Sequence, residues 1–352
     1  MKFFINKVFI PELQKAASVA SVKTSVFATR YLRLKAEGNI LYISACNFEI
    51  GYETEIKTNI DEEGKTAVEA ERFLSILKSY PEDAVPVEVI DRTMHIGRGN
   101  VSFSIKTMEY EDVPEPTTID NPEHSLSFDK EKLLSSMNIA KSIEGNKDNA
   151  RPFTNMVFFR KTDGGYNILS TDSKRMTSCF LECRDDGPEE FNIPKTAVST
   201  IVSNCDGRIF LQGNDVGFKT DGKLSVKQLE GGFPSVDQLI KTEPRFKFDL
   251  NRKKLLDSLK RCNIVVSDFP TVRLEASKGK LFLSASDPEY GDFTEEIELS
   301  ENLEFETAVN SRFLLQAVQH ATEDSLKIGI TDNQNPMYIY SETTFVIMPV
   351  KI

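Results

Sequence analysis

The chain repeats itself three times, and that limits its possible folds more than any single motif does. The segment Ile5-Asn6-Lys7-Val8-Phe9-Ile10 has counterparts in Phe128-Asp129-Lys130-Glu131-Lys132-Leu133-Leu134 and Leu250-Asn251-Arg252-Lys253-Lys254-Leu255-Leu256. Each is an extended apolar stretch, then Asn or Asp, then an amphipathic run. The side-chain oxygen can cap a helix by accepting from its first free backbone N–H groups. Later landmarks keep the same order. Alternating strands LYISACN (41–47), YNILSTD (166–172) and LFLSASD (281–287) end on Asn47, Asp172 and Asp287. Helix-like segments follow at 70–80, 194–204 and 310–320, and each copy returns to strand at 101–107, 223–229 and 344–350. Strand into helix occurs twice in the first copy, at 3–20 and 66–80, so each repeat reads as a duplicated strand–helix–strands unit. Pro-rich or charged joints at 112–124 and 240–246 separate the copies. The expectation is an α+β fold of three repeated domains, 1–120, 121–244 and 245–352, each with two helices and β-sheets.

Little in the sequence points to catalysis. A hydrophobic fraction of 39% with 24 Phe is enough to build cores and excludes disorder. No apolar run approaches the roughly 18 residues that span a membrane, and the start MKFFINKVFIPELQ reads as a first strand, not a signal peptide. Five Cys at irregular spacing argue for reduced thiols and a cytoplasmic setting. The three histidines, His95, His124 and His320, stand in three different repeat contexts, none at ligand spacing from a Cys or second His, so no metal site is expected. Gly97-Arg98-Gly99 and the stretch from Gly213 to Gly217 read as hairpin turns, since neither leads into a phosphate-binding GK[ST]. The chain therefore reads as no enzyme, with no cofactor.

Charge is more informative when it is divided by element. The net charge is −11, which taken whole argues against nucleic acid, because phosphate affinity rests on Lys and Arg. Six helix-like segments, 7–23, 69–80, 129–147, 194–208, 250–261 and 310–320, nevertheless carry +9 over 86 residues, with +4 at 250–261 alone, and the other 266 residues carry −20. Helix propensity explains why Lys and Arg collect there, but Glu is an equally good helix former and does not collect there with them. A segregated basic layer in an acidic protein suggests a local surface for a polyanion.

With those features on the page, the chain resembles one family over its whole length: the bacterial sliding clamps, the β subunit of DNA polymerase III. MKFFI is similar to the family's opening strand, Thr171-Asp172-Ser173-Lys174-Arg175-Met176 to its TDGHRL segment, and Leu229-Glu230-Gly231-Gly232-Phe233-Pro234 to its EGxFPDY segment. The ending Val346-Ile347-Met348-Pro349-Val350-Lys351-Ile352 resembles VVMPMRL, and Asn310 and Phe313 match the Asn and aromatic of a late helix. The resemblance implies the DNA clamp fold: a head-to-tail homodimeric ring that encircles duplex DNA without sequence specificity. Such a ring acts as a processivity factor in DNA replication. Helix packing agrees with two copies. Six helices roughly 10 Å apart close around a hole of roughly 9 Å, whereas twelve leave about 28 Å, enough for a duplex.

The resemblance also assigns residues. Lys23, Lys132, Arg252, Lys253, Lys254, Lys260 and Arg261 would face phosphates across water. A hydrophobic pocket between the second and third domains would receive a short peptide containing Gln and Leu or Phe. Its donors would be the replicative polymerase, the clamp loader, repair polymerases and other partners with the same motif. On the central repeat it would be formed by Thr154, Thr171, Ser173, Lys174, Arg175 and Met176, and on the joint by Pro234 and Leu239. Asn310 and Phe313 would join from the late helix, with Val346, Met348, Pro349, Val350 and Lys351 from the terminus. This sequence departs from the family pattern at Ser173-Lys174 (Gly-His), Thr154 (Leu) and Lys351 (Arg). For the dimer seam, Phe103 and Ile105 on an edge strand of the first domain would meet Val265 and Val266 of the third. Arg72, Lys78 or Arg98 would face Glu295 and Glu296. The competing reading is a three-domain β-rich enzyme or binding protein with its site at a domain junction.

Overall fold

The computed structural model describes residues 1–20, 26–144, 151–267 and 270–351. The first repeat runs β1 (Lys2–Asn6), α1 (Ile10–Val19), β2 (Tyr31–Glu37), β3 (Ile40–Cys46) and β4 (Ile50–Lys57). Its second half adds β5 (Ile60–Glu62), β6 (Gly64–Glu69), α2 (Ala70–Ser79), β7 (Ala84–Ile90), β8 (Thr93–Arg98) and β9 (Val101–Met108). The second repeat opens with β10 (His124–Ser127), α3 (Lys130–Ser142), β11 (Met156–Thr162), β12 (Gly165–Thr171) and β13 (Arg175–Glu182). It closes with β14 (Glu190–Pro194), α4 (Lys195–Asn204), β15 (Arg208–Gln212), β16 (Asp215–Lys219) and β17 (Lys223–Lys227). A short helix, α5 (Asp237–Lys241), leads to β18 (Phe246–Asn251), α6 (Arg252–Val265), β19 (Thr271–Ser277), β20 (Lys280–Asp287) and β21 (Gly291–Glu298). The last half-repeat is β22 (Phe305–Asn310), α7 (Ser311–His320), β23 (Ser325–Ile330), β24 (Met337–Tyr340) and β25 (Thr343–Ile347). Apart from β5, the same strand–helix–three-strand order recurs six times.

Local chemistry sets these boundaries. Where a strand runs into a helix, a side-chain oxygen takes up the first free N–H groups: Asn6 accepts from Val8, Asp129 from Lys132, and Asn251 from Lys254. Glu69 does so for Arg72, and Asn310 for Arg312 and Phe313. Behind Pro194, α4 starts without one, as do α5 and α1, the latter following the 3-10 turn that Asn6 caps. The hairpin turns repeat as faithfully. Asn47 Oδ1 accepts from Glu49 and Ile50, Asp172 Oδ1 from Lys174 and Arg175, and Asp287 Oδ1 from Glu289 and Tyr290. Each Asx turn reverses the chain between the second and third strands that follow the first helix of its repeat.

Two compact units emerge, one of Met1–Leu134 with Cys183–Leu229 and one of Ser135–Glu182 with Glu230–Ile352. The first holds a 13-stranded sheet ordered β10-β15-β16-β17-β4-β3-β2-β6-β9-β8-β7-β1-β5. Its helices α1 and α2 pack together, and Leu13, Ala16 and Val19 of the first and Phe73 and Leu77 of the second are fully buried. In the second unit β11-β12-β13-β25-β24-β23-β18 form one sheet and β21-β20-β19-β22 another. There α6 and α7 bury Leu255, Leu259, Cys262, Leu314 and Val318. Each such side chain contributes about 1.5–3 kcal/mol by leaving water.

One junction is used in both units. In the first, β17 pairs antiparallel with β4, so the last strand of the second repeat continues the sheet of the first. In the second, β25 pairs antiparallel with β13, joining the third repeat to the second in the same way. The rows across these junctions are equivalent. One reads Leu126–Ile209–Phe218–Leu224–Tyr52–Ala45 and the other Phe248–Ile328–Ile339–Phe345–Thr177–Ser170. Every member is buried.

The helices differ from the sequence expectation in length. The run Ile264-Val265-Val266 looks extended by its branched residues, but α6 continues to Val265, and Val266 closes it as a core residue. Packing of Leu255, Leu259 and Cys262 on one helical face, with the half-buried Val265 against the same core, outweighs the local preference.

Candidate functional site

An open groove of about 240 Å³ lies wholly within the second unit. Met176 and Val346 form its base, opposite each other across the β13–β25 pairing. Pro234, Val236 and Leu239 form one wall, and Phe153 and Met348 add apolar surface. Phe153 is held edge-on to Phe233, which stacks on Phe158 at 4.7 Å. Polar atoms enter from the β12–β13 turn through Thr171, Ser173 and Arg175. The turn is tightly bonded: Thr171 Oγ1 accepts from Ser173 N and donates to the Arg175 carbonyl. Ser173 sits at φ 74°, a left-handed position that costs a non-glycine residue energy.

Arg175 is the most constrained group. Its Nε donates to Asp172 Oδ2 at 3.0 Å, with the side chains only 9% and 14% exposed. The guanidinium lies 4.1 Å from the centroid of the Phe313 ring, and Nη1 donates to Gln316 Oε1. Burial, and then the Arg175 charge, hold His320 below its usual pKa. The Arg175–Asp172 pair is therefore a buried fixture linking β13 to α7, and not the surface pair that its sequence spacing allows.

The expected pocket residues fall into two groups. Thr171, Ser173, Arg175, Met176, Pro234, Leu239, Val346 and Met348 line the groove. The others do not. Thr154 is buried, with its hydroxyl donating to the Arg151 carbonyl. Lys174 is an exposed residue whose carbonyl accepts from Met348 N. Asn310 caps α7, and Phe313 sits beneath Arg175 in an adjoining small cavity. Pro349 and Val350 bind the third repeat by backbone, through Val309 and Ala308, and Lys351 is exposed. Sequence reasoning missed Phe153, Ser235 and Val236; the stretch 233–236, apolar between turn formers, was the available signal.

The first unit has the same junction but a filled groove. Gly51 and Ser225 stand where Met176 and Val346 stand in the second unit. A Cβ on Gly51 would come within 2.6 Å of the Pro116 side chain and 2.8 Å of Ser225 Oγ. Glycine here lets the joint between repeats pack directly onto the sheet.

Two open strand edges, one in each unit, are further candidate surfaces. Strand β9 pairs with β8 along 101–106 and meets β6 only at Thr107 and Met108. Strand β21 ends its sheet. The row Phe3–Val87–Ile96–Phe103 is the counterpart of the two rows above, but it stops at the half-buried Phe103. By the same alignment Phe293, half-buried and opposite Ala285, takes the place of Tyr52 and Thr177. Phe103 and Ile105 thus lie on an open edge. Val265 and Val266 do not lie on a strand: one ends α6 and the other is 8% exposed in the core. Glu295 is bound by Arg261, with contacts of 2.9 and 2.5 Å that hold its carboxyl below the usual range, and Glu296 by Lys280 at 2.8 Å. Arg72 is 80% exposed beside Glu69, and Lys78 and Arg98 are exposed.

Among the expected DNA-facing bases, Lys253 and Lys260 share the outward stripe of α6, with Asp257 3.9 Å from Lys260; Lys254 flanks it, and Lys132 is exposed on α3. Two others are engaged within the chain. Arg252 donates to the Val318 and Gln319 carbonyls at the end of α7, and Arg261 holds Glu295. Lys23 lies outside the described residues.

All five cysteines are free and buried. Burial pushes the Cys262 thiol up to about 11 and raises Cys46, Cys183 and Cys205. The native protein is expected to leave a colorimetric thiol reagent unreacted at pH 8, with five equivalents reacting in guanidinium. Rapid native labelling would contradict this burial.

The fold thus combines repeated strand–helix units, an apolar groove and open strand edges at β9 and β21. Comparison with known proteins names the class. Residues 1–118 match the family model for the DNA polymerase III beta subunit N-terminal domain, and residues 237–351 match that for its C-terminal domain. The beta sliding clamps of Chlamydia pneumoniae and Treponema pallidum are each 26% identical, covering 100% of this chain and 99% and 100% of the relatives. A putative DNA polymerase III beta subunit from Eubacterium rectale superposes with a TM-score of 0.92 at 18% identity, covering 99% of both chains. The beta subunit from Pseudomonas aeruginosa gives 0.92 at 20%, covering 100% of both. The chain belongs to the bacterial DNA polymerase III beta subunit family, the sliding clamps.

Proposed function

We infer that the chain is a DNA polymerase processivity factor, a non-catalytic cytoplasmic protein whose three domains, 1–120, 121–244 and 245–352, form half of a head-to-tail ring around duplex DNA. The observation that carries the ring is the junction. It is made twice within the chain, and the third set of partners, β9 and β21, is left open. A second copy supplies both missing partners, so two copies bury both edges of each. Exposed edges otherwise invite uncontrolled pairing.

The equivalent rows support one register, with Phe103 opposite Phe293, Ser102 opposite Thr294, and Val101 opposite Glu295. Arg98, which faces Val101 on β8, then shares a row with Glu295. Directly opposed Cα atoms in antiparallel strands lie about 4.5–5.5 Å apart, within disulfide range. Ser102 and Thr294 are both exposed. A Ser102→Cys/Thr294→Cys variant is expected to give covalent dimers on mild oxidation, while the same substitutions shifted by one residue do not. Monomer throughout, at concentrations where the protein is dimeric, would reject the register.

Inside the ring Lys132, Lys253, Lys254 and Lys260 meet phosphates through water. Sequence-blind electrostatics of this kind sets no register along DNA and so permits sliding. The groove takes the apolar anchor of a partner peptide, with Arg175 and the 171–175 turn as polar fixers. The replicative polymerase and the clamp loader are the partners the family implies.

A further inference from the structure

We propose that the first unit carries a docking groove of its own, built where β17 meets β4, for a basic peptide segment of a partner protein. A Lys or Arg of that segment is held by Glu53 and Glu55, and an apolar side chain beside Ile119. Alternation puts Tyr42, Ser44, Glu53 and Glu55 on one face of the sheet, opposite the buried Ile43 and Tyr52. The chain from Tyr110 to Asp120 crosses that face and is fixed there. Arg33 lies 4.0 Å from the Tyr110 ring centroid and reaches Glu115 at 3.2 Å, while Pro116 packs on Gly51. Two cavities open along this strap. One, of about 580 Å³, is walled by Tyr42, Tyr110, Glu53, Glu55 and the turn at Asp221 and Gly222. The other, of about 280 Å³, takes its apolar lining from Ile119, Phe210, Phe218 and Leu224. Gly222 and Lys223 line both, so a polar and an apolar cavity adjoin. At their border Lys223 is held by Asp120 at 3.2 Å in an exposed pair that a ligand can exchange at little cost.

Charge decides the occupant. Glu37 is bound by Lys35 at 2.5 Å and Asp221 by Lys15 at 2.6 Å. Glu53 and Glu55 make no hydrogen bond or ion pair among the described residues, although Glu53 is half-buried. Burial, outweighing the nearby Lys223 and Arg33 charges, holds the Glu53 carboxyl above its usual pKa. A cation brought between the two glutamates offsets that cost. The aromatic walls already serve cations, with Lys35 Nζ 5.6 Å from the Tyr42 centroid and Lys65 Nζ 5.3 Å from that of Tyr110. A net charge of −11 draws basic segments at long range, and the fixed strap leaves little to order on binding. In an extended segment, side chains two residues apart point the same way, so Arg and Leu at that spacing reach neighbouring cavities. A free polyamine would leave the apolar cavity empty; a peptide fills both.

Calorimetric titration of the full chain tests this with the end-blocked peptide Gly-Leu-Ser-Arg-Ser-Leu-Gly, which fits in either chain direction, and its analogue with citrulline for Arg. The Arg peptide is expected to bind about five- to tenfold tighter at 50 mM salt, and the two equally at 0.5 M. In Glu53→Gln/Glu55→Gln the preference is expected to vanish, with a urea midpoint no lower than that of the unmodified chain, because neither carboxylate loses a partner. Ile119→Ser is expected to weaken both peptides. Equal binding of the two peptides by the unmodified chain, a preference that survives in the double variant, or affinity unchanged by Ile119→Ser overturns the proposal. Displacement of the Arg peptide by equimolar spermidine overturns it too, since the site would then be one for free polyamines. None of these outcomes depends on whether the chain forms a ring.

Discussion

Phe103→Arg is expected to convert the proposed dimer of about twice 39.7 kDa into folded monomers of 39.7 kDa, read by light scattering. The substitution acts at the end of the row Phe3–Val87–Ile96–Phe103, where the chain alone leaves Phe103 half-buried. An arginine there can turn its head to water in the monomer. In the dimer it would be pressed against Phe293 and left without a carboxylate, since Glu295 is already engaged by Arg261. An uncompensated charge buried at the centre of an interface costs about 2–5 kcal/mol, and a two-copy ring carries that cost at each of two seams. Unchanged circular dichroism with loss of the dimer is the expected pair of results. A full dimer in this variant would remove the seam from the account.

Arg175→Ala is expected to be the most damaging single change in the groove. It leaves Asp172, 14% exposed, facing no cation, strips Phe313 of its stacked guanidinium and leaves Gln316 without a donor. Removing one partner of a buried pair costs about 3 kcal/mol or more, read as a lower urea midpoint. Peptide affinity should fall with it, because the 171–175 turn loses the anchor that orients Thr171 and Ser173. Arg175→Lys should recover less than half of the loss, since an ammonium cannot serve the carboxylate, the amide and the ring face together. Wild-type stability in the alanine variant would mean that the network is incidental.

These two residues also mark what the sequence could and could not convey. The caps at Asn6, Asp129 and Asn251 and the turns at Asn47, Asp172 and Asp287 were legible because each satisfies backbone donors within a few residues. Phe293 was not. Its proposed place opposite Phe103 follows only from a register carried across several strands, and no local pattern holds that information. Val265 illustrates the reverse error, in which a β-branched residue that favours strand was drawn into α6, while Val266 closes the helix in the core. The charge division pointed to the helices, but composition does not tell which cations are spent; Arg252 and Arg261 are bound to partners in the chain. In the groove, matched positions such as Asn310, Pro349 and Val350 hold backbone in place, whereas Phe153 and Val236 supply surface. Only packing separates those roles.

The most direct test of the ring is topological. The protein is loaded by its clamp loader onto nicked circular DNA, freed of unbound protein by gel filtration, and split into two samples, one of which is linearised with a single-cutting nuclease. The expected result is retention on the circle at 0.3 M salt and loss from the linear form as rings slide off the ends. Equal retention on both, or equal loss from both, would mean that the protein binds DNA by contact alone and does not encircle it.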